Sequence, residues 1–356
     1  GSWGAPSKNA VFLGVYDGHG GRLMADYCED NLAANVAREW EYAEGERKLQ
    51  KLQQSKKRRI DECDEKKDDV GGRNNKGNAQ STVEKEEGEV IQTALERAFL
   101  LTDVQSKLDG VSTSGATVVC CIVIPKLDGR GDLTSIAIHA ANAGDARAVL
   151  SSCTARRRPL QRKELLGSEN SSTNSKNSGR RSGGSSKEEA VRITHDHKST
   201  DPAEIARIES SGGIMIRGRV LGVLAVARSL GDHGLKEYVI GKPYLSSTMV
   251  RIEDSDGCSD DDLNNVDDDA SGNNDNTGEN DESILAATAP YTDGEFVIVA
   301  CDGLWDVFED QEAVDFVRDH VDANGKKSRE EVASFLIKEA LRLGSTDNIT
   351  VIVYWL

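Results

Sequence analysis

Residues 115–143 read GATVVCCIVIPKLDGRGDLTSIAIHAANA. Two β-branched runs, 115–124 and 134–143, flank a polar turn rich in Gly and Asp, which predicts a pair of strands. Another short strand is expected at 147–151. Further ones are expected at 10–16 (AVFLGVY), 296–301 (FVIVAC) and 349–355 (ITVIVYW). Helical spacing marks 22–43, with Leu23, Tyr27, Leu32 and Val36 as its buried stripe. Helices are also expected at 90–108, at 204–211 after an Asp201-Pro202 opening, at about 310–322 and at 328–343. The strands are short and joined mostly by turns, not by one helix each. That favours an α+β fold of antiparallel sheets with helices packed outside.

Three polar, low-complexity stretches interrupt this pattern, at about 44–88, 156–190 and 253–283, and are expected to be flexible insertions in a single domain spanning 1–356. The first alternates acidic and basic residues and could continue as an exposed helix to about Lys67. It holds KKRR at 56–59, which is either a solvated surface or a nuclear or docking signal. The second is basic. The third carries thirteen Asp and Glu without Lys or Arg, and without it the formal charge of −17 would fall to −4. A near-neutral body with one acidic segment argues against nucleic acid as a partner. Asp267, Asp269, Ser271 and Gly272 match the first half of a calcium loop, but Gly278 stands where a bidentate Glu is required.

Seven cysteines, none in C-x-x-C spacing, suggest buried free thiols in a reducing compartment, the cytoplasm or the nucleus. No apolar stretch approaches ~18 residues and no signal peptide is visible, so no membrane partner is expected. The chain begins Gly1-Ser2 without Met, which reads as a processed or engineered start.

Three aspartates stand at strand ends: Asp17 after LGVY, Asp302 after VIVAC, and Asp347, with Asn348, before ITVIV. Singly, each could be a turn or a helix cap. Together they form a set of hard oxygen donors that suits Mg²⁺ or Mn²⁺. Gly18-His19-Gly20-Gly21 follows Asp17 and allows a tight turn close to a ligand.

Seven segments resemble, in order, the motifs of the type 2C, metal-dependent protein serine/threonine phosphatases, the PPM family. They are VYDGHGG (15–21), SGATVV (114–119), ANAGDARAVL (141–150), THDHKSTDPAEIARIESSGG (194–213), RVLGVLAVARSLGD (219–232), ACDGLWDV (300–307) and STDNITVIV (345–353). The resemblance covers most of the chain outside the insertions. It implies a four-layer αββα fold, with a central antiparallel β-sandwich flanked by helices on both sides, and a monomer acting on phosphorylated proteins. It also implies two Mg²⁺ or Mn²⁺ ions, three with a weaker site. Asp17 would bridge two metals, the Gly18 carbonyl would bind one, and Asp302 and Asp347 would complete the other's shell. Asp145 resembles the ligand of the weaker third ion, shared with Asp302; otherwise it closes a turn. Asn348 would support the metals without touching them. A water acidified by two cations would attack phosphorus directly, without a covalent intermediate, and His19 would protonate the leaving oxygen. Asp232 is either structural or a third-metal ligand, Arg228 braces the core, and 213–218 lies near a substrate flap.

One departure stands out. Family members carry an arginine and then a Glu-Asp pair about twenty residues before the metal-bridging aspartate. The sixteen residues before Asp17 contain no Arg, Glu or Asp. An active phosphatase whose activity is impaired in this chain is the leading expectation, and a non-catalytic binding module of the same fold is the alternative.

Overall fold

The computed structural model describes residues 3–7, 9–64, 79–153, 188–251 and 295–356. The expected insertions at 156–190 and 253–283 lie almost wholly outside them. The order is β1 (Val11–His19), α1 (Leu23–Asp64), α2 (Ala79–Leu108), β2 (Gly115–Leu127), β3 (Leu133–Ala143), β4 (Arg147–Cys153), β5 (Glu188–Arg192), α3 (Pro202–Ser210), β6 (Met215–Ile216), β7 (Arg219–Val220), β8 (Leu230–Gly231), β9 (Tyr244–Arg251), β10 (Phe296–Ala300), α4 (Asp302–Trp305), α5 (Asp310–Asn324), α6 (Val332–Arg342) and β11 (Val351–Trp355).

Two antiparallel sheets stack. One runs β1-β2-β3-β9, with β8 added beside β2, and the other runs β11-β10-β4-β5. Three apolar clusters separate four layers. Val118, Cys120, Ile122 and Ile124 of β2 face α1 and α2 with Leu95 and Phe99. The alternate residues Val119, Cys121 and Val123 face Val297 and Val299 of the second sheet. Phe296 and Ile298, on that sheet's other side, meet Val314, Val317 and Leu336 of α5 and α6. An unbroken apolar run such as TVVCCIVI is what a strand covered on both faces requires. The arrangement is the expected α+β sandwich with helices outside both sheets. Cys28, Cys120, Cys121 and Cys301 are free and buried. No described helix is long and apolar enough to cross a membrane.

The stripe of α1 differs from the expected one. Leu23 is 58% exposed and Tyr27 half-buried, its hydroxyl donating to Asp109 at 2.6 Å. The inward face is Met24, Cys28, Leu32, Val36, Trp40 and Ala43. Stepping back by fours from Val36 gives 32, 28 and 24, so Leu23 and Tyr27 fall off the face. The start is fixed by the Met24 N–H donating to the Ser114 hydroxyl at 3.1 Å.

Past Ala43 the helix leaves the core and continues to Asp64, close to the expected limit at Lys67. Residues 44–64 and 79–88 of the expected first insertion are therefore helical, and 65–78 lie outside the described residues. Ion pairs Arg97–Glu46 and Lys51–Glu86 join the two helices there.

The corrected register predicts that Leu32→Ala costs about 2–5 kcal/mol in urea unfolding, while Leu23→Ala stays within about 0.5 kcal/mol. A loss at Leu23 as large as that at Leu32 would put Leu23 back on the buried face.

Candidate active site

Each acidic residue arrives from a different strand end. Asp17 lies within β1, opposite Thr117 of β2, and the strand runs on to His19. This differs slightly from an aspartate following the strand. Gly20 and Gly21 then turn with φ of 67° and 120°, in the left-handed range that glycine tolerates. Gly18 is exposed on the same strand, which stands at the end of its sheet.

Asp302 opens α4 directly after β10, with Cys301 at its N-cap. The Cys301 thiol donates to the Asn348 carbonyl at 3.3 Å and accepts the Thr350 N–H at 3.2 Å. Gly303 lies so close that an added Cβ would sit 2.2 Å from the Asn348 carbonyl. This packing draws the Asp347–Asn348 turn against Asp302. Asn348 contributes to this packing through its backbone carbonyl, and the residue is otherwise exposed. Asp347 accepts the Asn348 N–H at 2.7 Å.

Asp145 sits in the turn from β3 to β4, where the chain passes from one sheet to the other. Gly144 has φ 110°, and the Asn142 amide donates to the carbonyls of Gly144 and His195. The turn is only 6% exposed at Asp145.

Ligand atoms of Asp17, Cys301 and Asp302 lie within 4.8 Å of one another. Asp145 Oδ1 and Asp302 Oδ1 are buried with no hydrogen-bond partner. Burial, then the neighbouring carboxylates, push the Asp17 acid upward, and burial does the same to Asp302. Burial and the Asp302 charge hold Asp145 at about 7 despite Lys198 nearby. Carboxylates that crowd, lose solvent and leave oxygens unsatisfied fit a divalent cation, which would reverse each of these penalties. Asp17, Asp302, Asp145 and Asp347 are the residues present to hold one. Sequence reasoning passed over Asp306, one helical turn after Asp302, whose charge also acts on Asp302. The i, i+4 spacing of the two aspartates in CDGLWD was the available signal.

Asp232 belongs elsewhere. Its Oδ2 lies 2.6 Å from His19 Nε2 and accepts the Ser229 hydroxyl at 2.5 Å. Burial opposes the Asp232 charge, but these hydrogen bonds prevail and hold the acid below its usual range. Of the two roles expected for Asp232, these contacts fit the structural one, with the carboxylate orienting His19. Gly115 makes room, since a Cβ there would fall 2.0 Å from Asp232 Oδ2 and 2.4 Å from His19 Nε2. Arg228 braces as expected, pairing with the buried Glu204 and donating to the Lys242 carbonyl at 3.0 Å. Residues 213–218 lead into the β6–β7 hairpin, where Ile214 and Ile216 are exposed.

A family model described as "Protein phosphatase 2C" matches residues 66–165, 181–258 and 284–349, well over half of the chain. The chain belongs to the protein phosphatase 2C family. The matched stretches contain Asp145, Asp232, Asp302 and Asp347, and Asp17 and His19 precede them. Protein phosphatase 2C homolog 1 of Saccharomyces cerevisiae is 29% identical over 273 residues, 75% of this chain and 69% of that protein. Protein phosphatase 2C homolog 1 of Schizosaccharomyces pombe is 29% identical over 342 residues, 96% of this chain. This chain spans only 62% of that second relative's length. The fold matches the crystal structure of serine-threonine phosphatase 2C from Toxoplasma gondii with a TM-score of 0.53. That match has 16% identity and covers 98% of this chain and 86% of the other. The protein phosphatase 2C family is metal-dependent, in keeping with the donor set at Asp17 and Asp302.

A carboxyl raised in the folded state stabilises that state at low pH and loses its contribution as pH climbs to the folded value. For Asp145 that window runs from about 4 to about 7. In EDTA near pH 8, Asp145→Asn should therefore be more stable than the parent, on the order of 3 kcal/mol. Saturating Mn²⁺ should narrow or reverse the difference, because the parent binds it better. Thermal melting in both conditions checks this, and a destabilised variant in EDTA would contradict it.

Proposed function

We propose that this chain hydrolyses phosphoserine and phosphothreonine in proteins. The observation that carries the reading is the set of crowded, partly unsatisfied carboxylates at Asp17, Asp302 and Asp145, the first two half-buried and the third buried, beside the His19–Asp232 pair. Hard oxygen donors favour Mg²⁺ or Mn²⁺. Two ions are proposed, held mainly by Asp17, Gly18, Asp302 and Asp347, with a third, weaker one at Asp145. When bound, such ions supply positive charge against the phosphate oxygens and acidify a water for direct attack.

The protein's own part in the reaction is geometric and protic. Asp232 fixes the His19 ring through Nε2, leaving Nδ1 to deliver a proton to the departing seryl or threonyl oxygen. Ser229 holds Asp232 in turn. The Asp232 backbone stands at φ 46°, strained for a non-glycine residue, and is tied by its N–H to the Ser114 carbonyl at 3.1 Å. Ser114 therefore serves both the start of α1 and the approach to Asp232, coupling His19 placement to the core. Phosphorylated proteins are the proposed partners, and the proposed setting is a monomer in the cytoplasm or nucleus, where the buried thiols Cys28, Cys120 and Cys121 stay reduced.

Hydrolysis of a phosphothreonine peptide with Mn²⁺, with and without EDTA, tests the reading. Turnover should require the metal and vanish in Asp302→Ala. His19→Gln should lower kcat by about 10²–10⁴-fold while Mn²⁺ binding is kept. Mn²⁺ binding without any turnover would favour the non-catalytic binding module instead.

A further inference from the structure

Several charged side chains around the site are neutralised by acids outside the carboxylate cluster. Arg147 binds Asp196 and Asp310, Arg207 and Arg228 bind Glu204, and Lys236 binds Asp103. Lys198 is different. Its backbone is fastened beside the Asp145 turn. The His197 N–H donates to the Gly144 carbonyl at 2.9 Å, and Lys198 itself bridges to Val226. From there its ammonium reaches Asp306 Oδ1 at 3.1 Å, one helical turn beyond Asp302. The side chain thus spans from the Asp145 turn to the Asp306 end of α4. Asp145 and Asp302, the acids at the two ends of this span, each keep a buried oxygen without a hydrogen-bond partner.

We propose that Lys198 is a tethered counter-cation for the Asp145–Asp302–Asp306 end of the cluster, so that a divalent cation settles there only by displacing its ammonium. This rests on the metal-binding reading above and adds an order of filling. The Asp17–Asp302–Asp347 end takes its ions first, and the Asp145 end stays weak because a positive charge is already built into it. The electrostatics agree. Partial burial works against the Lys198 charge, yet Asp306, Asp145 and Asp196 outweigh it and hold the ammonium above its usual range. Lys198 in turn lowers both Asp145 and Asp302. A lysine suits such a role, being a compact charge on a flexible stem that can swing away, here 40% exposed. In the metal-free protein the same ammonium limits the repulsion that the crowded carboxylates would otherwise feel.

The test is calorimetric titration of Mn²⁺ into the parent chain, Lys198→Met and Lys198→Arg. Removing the charge should tighten the weak class of sites roughly three- to tenfold, the gain being moderated by solvent because the lysine is half-exposed. The tight class should move by less than about twofold, since only the near end of the cluster loses a repelling charge. Lys198→Arg, which keeps the charge, should behave as the parent. A weak class that is unchanged or weaker in Lys198→Met would overturn the proposal while leaving the metal reading intact. Failure of the parent to bind Mn²⁺ at all would overturn both. Lys198→Gln repeats the charge removal should the Met variant fail to fold.

Discussion

The repulsion between carboxylates that the backbone forces together is the constraint around which this domain is organised. Asp17, Asp145 and Asp302 come from β1, from the β3–β4 turn and from the end of β10. In a flexible chain they would separate and hydrate. Here two stacked sheets, packed through Val119, Cys121, Val123, Val297 and Val299, fix the strand ends whatever the charges prefer. Side chains in such a core interdigitate, so easing one strand end would open voids along the whole strand. The apolar layers therefore hold the site as well as the fold.

The surroundings of the cluster show how local the strain is. Arg147, two residues after Asp145, is 7% exposed in its side chain and lies 5.0 Å from the Trp305 ring. It pairs with Asp196 and with Asp310 at 2.7 Å, so β4, the loop after β5 and the start of α5 converge on one cation. A buried guanidinium with two carboxylates is satisfied in geometry and charge. The polar groups one step away from Asp145 thus reach their partners.

How far this was legible in the sequence depended on the range of the interaction. Strands such as 115–124 and 296–301 announced themselves, because burial on both faces demands an unbroken apolar run. The aspartates at strand ends were legible for a related reason, since each follows or precedes such a run. The stripe of α1 was not. Its phase is set by packing against α2 and β2, distant in sequence, and 3.6-residue periodicity leaves adjacent choices such as Leu23 and Met24 open. Asp232 was left between two roles for the same cause. Its partner His19 is 213 residues away, and the carboxylate gives no local sign of whether it faces a metal or an imidazole. The Lys198–Asp306 contact spans 108 residues and was equally hidden.

Buried acids elsewhere in the domain sharpen the argument about what the cluster is for. Among the described residues, Asp103, Asp145 and Glu204 are the buried carboxylates. Asp103 meets Lys236 at 3.0 Å and also receives the Gly231 N–H at 2.7 Å. Glu204 is gripped by Arg207 at 2.9 Å and by Arg228 at 2.5 Å. Of the three, only Asp145 has a fully buried oxygen without a hydrogen bond, and the charge of Asp302, another acid, acts on it. A fold that satisfies two buried acids so fully has the means to satisfy a third. Leaving Asp145 and Asp302 unsatisfied lowers the stability of the metal-free chain, and that cost is recovered when a cation binds the folded state alone. The same arithmetic assigns the burden of the site to the sandwich core, which must be stable enough to tolerate it before any ion arrives.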